Sequence, residues 1–273
     1  MLRVERAEGD AAIAIWTVAR PETKNALSFA VMEALDLAIA GAAHAPELRA
    51  IVLTGEGNVF VSGGDLRELR AKASAADAER LSDMGKKICD GLGALDVPVI
   101  AALNGAAIGG GAELAVACDL RIADPSAKLC FKHVRMGLTT SWGTLARLLY
   151  LVGPSTSARL LYTAHDVRAK EAAALGLVDA VADEGASVAT AIAWARDIAK
   201  GSPTAVAEMK RLLRHASPEV ELVRARERER FVAMWTSADH REAVEAFFEG
   251  RPPVWQVPQA TNAANATRAQ RGG

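Results

Sequence analysis

The chain has 273 residues, of which 51% are hydrophobic and 24% charged, and its formal net charge is −1. That length is enough for one large α/β domain, or for a core domain with a helical appendage. The nearly neutral balance, without a basic stretch, argues against nucleic acid as a partner, and the longest uncharged stretch, residues 97–112, is too short and too broken by Pro98 and glycines for a membrane span.

Three cysteines and a charged N-terminus indicate where the protein is expected to work. Cys89, Cys118 and Cys130 cannot all pair within the chain, and each lies in apolar sequence, which favours buried free thiols in a reducing compartment. Residues 1–6 carry charges where a signal peptide would need an apolar run. We therefore expect a cytoplasmic location and no association with a membrane.

The first half of the chain predicts strands and helices in alternation. Residues 4–6 and 13–18 predict two strands joined by a turn at Gly9, and Ser28 is a suitable N-cap for an amphipathic helix that runs to about residue 44. The elements predicted next are strands at 48–54, 97–103 and 120–123 and helices at 79–95 and 109–118. Such alternation indicates stacked right-handed βαβ units in an α/β core.

The strand pattern stops at about Thr204. Helical spacing then covers residues 205–215, 218–235 and 240–248. We therefore divide the chain into an α/β core at 1–200 and a helical C-terminal domain at 201–255. Residues 256–273, rich in Ala, Asn, Thr and Gln, have no periodicity and are expected to be disordered.

Two glycine clusters each follow a buried strand. Residues 60–66 contain Gly63-Gly64, and residues 104–113 contain Gly109-Gly110-Gly111. Glycine allows a ligand to approach the main chain closely, and the free N–H groups at the start of a helix attract negative charge. Two such turns could bring two N–H groups onto one oxygen atom, which is the arrangement of an oxyanion hole.

Other sites built on glycine turns fit this sequence less well. Neither cluster matches G-x-G-x-x-G, and neither is followed by Lys-Ser or Lys-Thr, so a nucleotide phosphate site is disfavoured. The G-x-S-x-G elbow and the H-E-x-x-H metal motif do not occur, and Cys130 with His133 has no second pair to complete a metal site. A tight turn without a ligand remains the alternative to the oxyanion hole.

Five segments taken in order resemble the crotonase (enoyl-CoA hydratase/isomerase) family. They are residues 20–27, both glycine clusters, 117–123 and 176–179, within a similarity that extends over about residues 2–255. The resemblance implies a crotonase-like spiral of ββα units with a C-terminal helical trimerisation domain, and a homo-trimer or hexamer. It also implies an acyl-CoA thioester as the substrate, with no metal and no separate cofactor.

The resemblance places the thioester oxygen between the N–H groups of Gly64 and Gly110. It makes residues 20–27 the site for the adenine and phosphates of CoA, with Lys24 as the charge partner, although a solvated lysine is the alternative. Trp142 is expected to shape the acyl pocket or simply to pack. The complete set of substrate-binding residues that the resemblance implies is Lys24, Ala26, Asp65, Leu66 and Trp142.

The expected catalytic residues are Glu113 and His133. A hydratase of this family uses two glutamates for proton transfer, and Glu113 matches the first, unless it merely complements the helix N-terminus. His133 stands where the second glutamate is expected; it can exchange a proton near neutral pH, or it is a structural histidine. Ser141 replaces the aspartate of dienoyl-CoA isomerases, which argues against that isomerisation.

The leading hypothesis is therefore a hydratase-like enzyme that adds water to an unsaturated acyl-CoA through an enolate held in the oxyanion hole. A second hypothesis is another enolate chemistry of the family: double-bond isomerisation, decarboxylation, or C–C hydrolysis, for which a diketone-cleaving relative carries histidine in this region. A third is a CoA-binding protein that lost catalysis with its second carboxylate. Fold analogy alone does not choose among them.

Overall fold

A computed structural model describes residues 1–72, 74–214 and 219–254, without the side chains of residues 214 and 219–226. The tail expected to be disordered, residues 256–273, lies outside these ranges. Within them, no helix combines the length and the apolar character that crossing a membrane requires.

The described residues form ten strands and ten α-helices. The strands are β1 (Leu2–Ala7), β2 (Asp10–Val18), β3 (Ala50–Gly55), β4 (Val59–Val61), β5 (Val99–Leu103), β6 (Ala106–Ile108), β7 (Leu120–Ala123), β8 (Lys128–Cys130), β9 (Val167–Arg168) and β10 (Ala180–Val181). The helices are α1 (Phe29–Ala42), α2 (Leu66–Leu69), α3 (Ala75–Ala94), α4 (Gly110–Ala117), α5 (Thr144–Thr163), α6 (Ala169–Ala174), α7 (Ser187–Ala199), α8 (Pro203–Arg214), α9 (Glu219–Trp235) and α10 (Ala238–Glu249). Two 3₁₀ helices span Pro21–Thr23 and Lys132–Met136.

The strands form two sheets, one of six strands and one of four. The first has the order β1-β2-β3-β5-β7-β10 and the second the order β4-β6-β8-β9. In the pairs β3/β4, β5/β6 and β7/β8, the first strand belongs to the large sheet and the second to the small one. This is the ββα spiral that the resemblance implied. The βαβ units expected from periodicity are present in the large sheet, where β2, β3, β5 and β7 pair in parallel. Periodicity missed the second strand of each pair, which has only three residues and is too short to show alternation.

The large sheet is buried on both faces. In β3, Ile51 and Leu53 belong to the main hydrophobic cluster, which includes residues of α1 and α3. Ala50 and Val52 point to the opposite face, where they belong to a smaller cluster with residues of α7. Burial of the valine, leucine and isoleucine side chains among them contributes about 1.5–3 kcal/mol each. The sheet is therefore a rigid support for the turns that follow its strands.

Local signals in the sequence explain several boundaries. The hairpin of β1 and β2 is antiparallel, as predicted. The Ser28 hydroxyl accepts a hydrogen bond from the N–H of Val31 (3.3 Å) and caps α1, as predicted. Helix α3 begins earlier than predicted, because Ser74 and Asp77 form a capping box. The three cysteines are buried and unpaired, as expected, and burial raises the pKa of the Cys118 thiol to about 12.

The three C-terminal helices return to the core of the same chain. Helix α9 packs against α3 and α5, and α10 packs against the 3₁₀ helix Lys132–Met136. The indole N–H of Trp235 donates to the carbonyl of Lys72 (2.8 Å), and Lys210 Nζ donates to Asp119 Oδ2 (2.7 Å). These contacts bring α9 close to the turns described next.

Candidate active site

The two glycine clusters lie next to each other because β4 and β6 are paired in parallel. Gly63 has φ +100°, and a Cβ atom there would lie 2.9 Å from the carbonyl oxygen of Ile108 and 3.5 Å from the nitrogen of Gly110. A Cβ atom at Gly111 would lie 1.9 Å from the carbonyl oxygen of Val61. Side chains at these positions would therefore separate the two turns, which explains why glycine occupies both.

Gly64 and Gly110 each present an N–H group at these turns. Gly110 is the first residue of α4, so its N–H has no acceptor within the helix. Gly64 forms a bridge with Leu27, in which Leu27 N donates to Gly63 O (2.8 Å) and Asp65 N donates to Leu27 O (3.0 Å). This pattern leaves the Gly64 N–H unused. Neither N–H has an acceptor in the part of the chain that the structure describes.

The loop of residues 20–27 is shaped by a buried asparagine. Lys24 and Asn25 both have left-handed φ values, 56° and 57°. The Asn25 side chain accepts from the N–H of Arg20 (3.0 Å) and donates to the carbonyls of Glu56 (2.9 Å) and Val59 (2.7 Å). The loop is thus fixed to the chain that leads into β4, and the side chain of Lys24 is exposed to solvent.

Asp65, Leu66 and Ala26 lie where this loop meets the first glycine turn. Asp65 caps the short helix α2, whose first residue is Leu66. Arg20 connects the loop to that cap, since it donates to Asp65 Oδ2 (3.0 Å) and to the carbonyl of Ala26 (2.8 Å). The carboxylate of Asp65 is therefore engaged inside the chain, and its evident effect is to hold the loop against Gly64.

Glu113 lies in the first turn of α4 and is only 2% exposed. Its Oε1 accepts hydrogen bonds from the N–H of Ser141 (3.1 Å), the N–H of Trp142 (3.4 Å) and the hydroxyl of Thr144 (2.9 Å). Its Oε2 lies 3.3 Å from Nε2 of His133. Both carboxylate oxygens therefore have partners.

These partners decide the protonation state of Glu113. Burial alone would raise the pKa of this carboxyl, but the charge of His133 and the hydrogen bonds from His133, Thr144 and Ser141 outweigh it and lower the pKa below its ordinary value. Glu113 is consequently ionised at neutral pH. The sequence-predicted pair of Glu113 and His133 is brought into contact.

His133 belongs to the 3₁₀ helix Lys132–Met136, and its side chain is 11% exposed. Since Nε2 faces Glu113, the other ring nitrogen, Nδ1, points elsewhere. Nδ1 is buried and has no hydrogen-bond partner among the described residues. One nitrogen thus faces the carboxylate, and the other has no partner within the described ranges.

Trp142 lies between two helices at a pair of glycines. A Cβ atom at Gly85 of α3 would lie 1.9 Å from Cε2 of Trp142, and one at Gly110 would lie 2.7 Å from Cη2. The indole therefore rests directly against both backbones, beside the N–H of Gly110. The neighbouring Ser141 is buried, and its hydroxyl has no partner in the described part of the chain.

Sequence reasoning missed two residues at this site. Thr144 binds Glu113 directly, but a threonine at a helix start predicts a helix cap and not a bond to a distant carboxylate. Glu227 of α9 is 5% exposed, and its Oε1 accepts from the N–H of Leu145 (3.0 Å) and from the hydroxyl of Thr140. Burial, together with the charge of Glu113, raises the pKa of Glu227 to about 6.

Glu227 could have been found from its spacing. It lies in a run of alternating charges, residues 226–230, which is typical of a solvated helix. Phe231 and Trp235 follow it at intervals of four, and both are buried. A charge that shares a helix face with two aromatic side chains is a candidate for burial.

No group of three His, Cys, Asp or Glu side chains is arranged as metal ligands within the described ranges. Cys130, one of the residues weighed for such a site, donates its thiol to the carbonyl of Ala164 (3.1 Å). The chemistry that this arrangement offers is proton transfer by a carboxylate–imidazole pair, next to two free N–H groups.

Comparison with known proteins agrees with the resemblance seen in the motifs. The family model described as enoyl-CoA hydratase/isomerase matches residues 8–258. The chain is 33% identical, over 246 residues, to a short-chain-enoyl-CoA hydratase of Clostridium acetobutylicum, which covers 89% of this chain and 94% of the relative.

Solved structures show the same fold. An enoyl-CoA hydratase of Mycobacterium avium subsp. paratuberculosis superimposes with a TM-score of 0.84 at 25% identity, over 94% of this chain and 98% of that one. For an enoyl-CoA hydratase of Bacillus anthracis the TM-score is 0.75 at 30% identity, over 93% and 98% of the two chains. The α/β architecture with two mixed sheets and C-terminal helices is therefore confirmed as the crotonase fold. The chain belongs to the enoyl-CoA hydratase/isomerase (crotonase) family of enzymes, a family that implies an acyl-CoA substrate.

Proposed function

We propose that this enzyme is an enoyl-CoA hydratase that adds water across the double bond of an unsaturated acyl-CoA. The observation that carries the proposal is the 3.3 Å contact between Glu113 and His133, at the start of the helix that begins with Gly110. Its similarity to relatives named as enoyl-CoA hydratases supports the same reaction.

In this proposal the N–H groups of Gly64 and Gly110 bind the thioester oxygen. Negative charge develops on that oxygen as the enolate forms, and the positive end of the α4 dipole lies beside it. Donors fixed in advance stabilise such a charge without reorganisation, and loss of one typically slows a reaction by about 10²–10³-fold.

His133 is proposed to handle the proton of water. Its Nδ1 takes a proton as the water oxygen bonds to the β-carbon, and the π electrons move onto the thioester oxygen. The imidazolium then returns a proton to the α-carbon as the enolate collapses, which leaves a hydroxyacyl-CoA. Ionised Glu113 orients the imidazole through Nε2 and stabilises its positive charge.

The remaining residues are proposed to bind the substrate. Residues 20–27 would hold the nucleotide end of CoA, with the exposed ammonium of Lys24 near the phosphates and Ala26 lining the site. Asp65 and Leu66 would support the turn at Gly64, and Trp142 would form one wall of the acyl pocket. The exposed apolar residues of α8, Met209, Leu212 and Leu213, support assembly into a trimer or hexamer.

C–C hydrolysis is a second candidate, and His133 is the observation that favours it. With a histidine in place of a second carboxylate, the same pair could deliver water to a carbonyl carbon instead of an alkene carbon. The products differ, because hydration conserves the carbon skeleton whereas hydrolysis divides it.

The test is product analysis by mass spectrometry with 2-enoyl-CoA esters of increasing chain length and with a β-diketone thioester. Hydration adds the mass of one water to the intact ester. The proposal fails if the purified enzyme leaves every enoyl-CoA unchanged, or if it cleaves only the diketone.

A variant tests the oxyanion assignment. Gly110→Val places bulk against Trp142 and the free N–H, and we expect turnover to fall by at least about 10²-fold. Gly41→Val is the matched control, because a Cβ atom at Gly41 has no neighbour within 4 Å. Equal rates in the two variants, with matching circular dichroism, would remove Gly110 from the mechanism.

A further inference from the structure

The segment of residues 140–145 is held from two sides by two buried carboxyl groups. On one side, Glu113 accepts from Ser141 N, Trp142 N and the Thr144 hydroxyl. On the other, Glu227 accepts from the Thr140 hydroxyl and from Leu145 N. The contacts of Glu227 thus enclose those of Glu113 along the chain.

This segment needs acceptors because it contains the start of a helix. Helix α5 begins at Thr144, after Gly143 with φ +79°, and no N-cap side chain accepts a hydrogen bond from its first turn. Unpaired N–H groups at a buried helix start are costly. Here Glu227 of α9 accepts from Leu145 N in the first turn and takes the place of the cap, while Glu113 of α4 accepts from the N–H groups of Ser141 and Trp142 just before it.

We propose that Glu227 is a positioning residue of the active site: it holds residues 140–145 in the conformation that presents their donors to Glu113. Glu227 acts through this segment and is not assigned any contact with substrate. The C-terminal helix α9 is thereby part of the machinery that sets the catalytic carboxylate. The inference rests on the proposed function in one respect, which is that Glu113 serves in catalysis.

Several charged groups lie around Glu227 and affect its ionisation. Glu113 of α4 is the negative group that faces it, and Arg147 of α5 is the positive one, ion-paired to Asp90 at 3.1 Å. On the far side of Glu113, His133 lies in contact with that carboxylate. Further charges where α9 meets α3 are held in ion pairs, Asp83 with Arg228 and Lys86 with Asp90. From α10, the ring of His240 packs on Trp235, two turns along α9.

Glu227 has one oxygen, Oε2, with no partner in the described ranges. Burial and the neighbouring Glu113 raise its pKa to about 6, so the group changes charge within the pH range in which kinetics are measured. If Glu227 positions the segment, this change of charge alters its contacts with Thr140 and Leu145 and should appear in the pH–rate profile, whereas a role in packing alone would leave the profile unchanged. This supplies a signature beyond simple loss of structure.

The test compares three full-length variants. Glu227→Ala removes both acceptor contacts, Glu227→Gln keeps a carbonyl acceptor but cannot ionise, and Glu229→Ala is the matched control on the exposed face of the same helix. We expect Glu227→Ala to lower kcat on the accepted enoyl-CoA by about 10–10²-fold with little change in KM, since a small misplacement of a catalytic group has that effect. Glu229→Ala should equal the parent.

Glu227→Gln should restore most of kcat, and its pH–rate profile should lose the inflection near pH 6. An activity-independent measurement accompanies these: in Glu227→Ala, the amides of Ser141 and Leu145 should exchange hydrogen about tenfold faster or more than in Glu229→Ala, with Glu227→Gln restoring protection. Thermal unfolding of each variant shows whether it is folded.

The outcomes separate this inference from the proposed function. If the parent enzyme lacks hydratase activity, the proposed function fails, while hydrogen exchange still reports whether Glu227 holds the segment. If the parent is active but Glu227→Ala matches Glu229→Ala in kcat, pH profile and amide exchange, the positioning role is wrong. Should Glu227→Ala be unfolded, a Glu227→Gln profile identical to that of the parent is sufficient to overturn it.

Discussion

Two buried glutamates meet the same short segment and differ in protonation. Glu113, in the first turn of α4, has its pKa lowered, whereas Glu227, in α9, has its pKa raised to about 6. Burial is similar, at 2% and 5% exposure, and both accept a backbone N–H and a hydroxyl. Burial alone therefore does not explain why the pKa values of the two groups shift in opposite directions.

The partners explain the difference. Glu113 has four donors spread over both oxygens, and one of them is the imidazole of His133. Glu227 has donors at one oxygen only, and its nearby charge of the same sign is Glu113 itself. A second donor-filled oxygen and an opposite charge offset the cost of desolvation, while a like charge adds to it.

The largest expected effect comes from removing the charge of Glu113. Glu113→Gln keeps the volume but leaves the imidazole without an anionic partner, so kcat should fall by about 10²–10⁴-fold. Steady-state kinetics on the accepted enoyl-CoA, with binding of the ester measured separately, checks this. If Glu113→Gln and Glu227→Gln lose the same small factor, the two carboxyls do not differ in role.

Removing His133 should abolish the imidazole contact that Glu113 has and Glu227 lacks. His133→Ala takes away the proton carrier of the proposed mechanism and one hydrogen-bond partner of Glu113, so kcat should fall by about 10²-fold or more while CoA-ester binding is retained. The pKa of Glu113 should rise, because burial is then opposed by fewer favourable contacts. The acid limb of the pH–rate profile of the residual activity should move to higher pH.

His133→Glu is the companion variant, since it restores the two-carboxylate arrangement expected of a hydratase and should hydrate enoyl-CoA faster than His133→Ala. If His133→Ala matches the parent across the pH range, His133 is structural and Glu113 acts without it.

A smaller change tests the comparison of the two glutamates by removing one hydrogen-bond donor of Glu113. Thr144→Val preserves shape but removes the hydroxyl bond to Glu113 Oε1, which should raise the pKa of Glu113 and lower kcat by about tenfold. The loss of a buried hydrogen bond to a charged group should also reduce the free energy of unfolding by about 1–3 kcal/mol. Chemical denaturation and the pH–rate profile measure both. A Thr144→Val enzyme with an unaltered profile would show that the N–H donors alone hold the carboxylate.

The smallest effect concerns the pH dependence of the free energy of unfolding. The contribution of Glu227 should fall as pH rises, opposite to that of a group with a lowered pKa such as Glu113. A raised pKa means that the stability attributable to Glu227 is fully present below its ordinary value of 4.5 and is lost as pH rises through about 6. Glu227→Gln has no such loss. The parent should therefore lose about 2 kcal/mol relative to Glu227→Gln between pH 4.5 and 7.5. Denaturant unfolding at both pH values tests this, and a constant difference would contradict the raised pKa.

Much of the scaffold was predictable because its signals are local. The β1/β2 hairpin, the cap at Ser28 and the helix that starts at the glycines of α4 follow from turn and capping chemistry. The position of Glu113 followed from the same turn. Strands β4, β6 and β8 could not be predicted, since each has three residues and is defined by its pairing with distant strands.

The contacts of Glu113 illustrate the limit for the site. Its donors come from residues 20 to 31 positions away, and the residues at the other side of the segment bind Glu227, 82 and 87 positions away. Such contacts depend on how α9 packs over α3 and α5, which periodicity does not encode. The spacing of Glu227, Phe231 and Trp235 marks Glu227 as a candidate for burial, but it does not show which segment the carboxyl group binds.

Trp142 packs directly against Gly85 and Gly110, so the sizes of the side chains at these three positions depend on one another. The indole leaves no room for a Cβ atom at Gly85 and little at Gly110. A larger residue at either glycine must displace the indole unless the residue at position 142 becomes smaller. Among homologous sequences we therefore expect these three positions to change together, so that a relative with alanine or a larger residue at position 85 lacks tryptophan at 142.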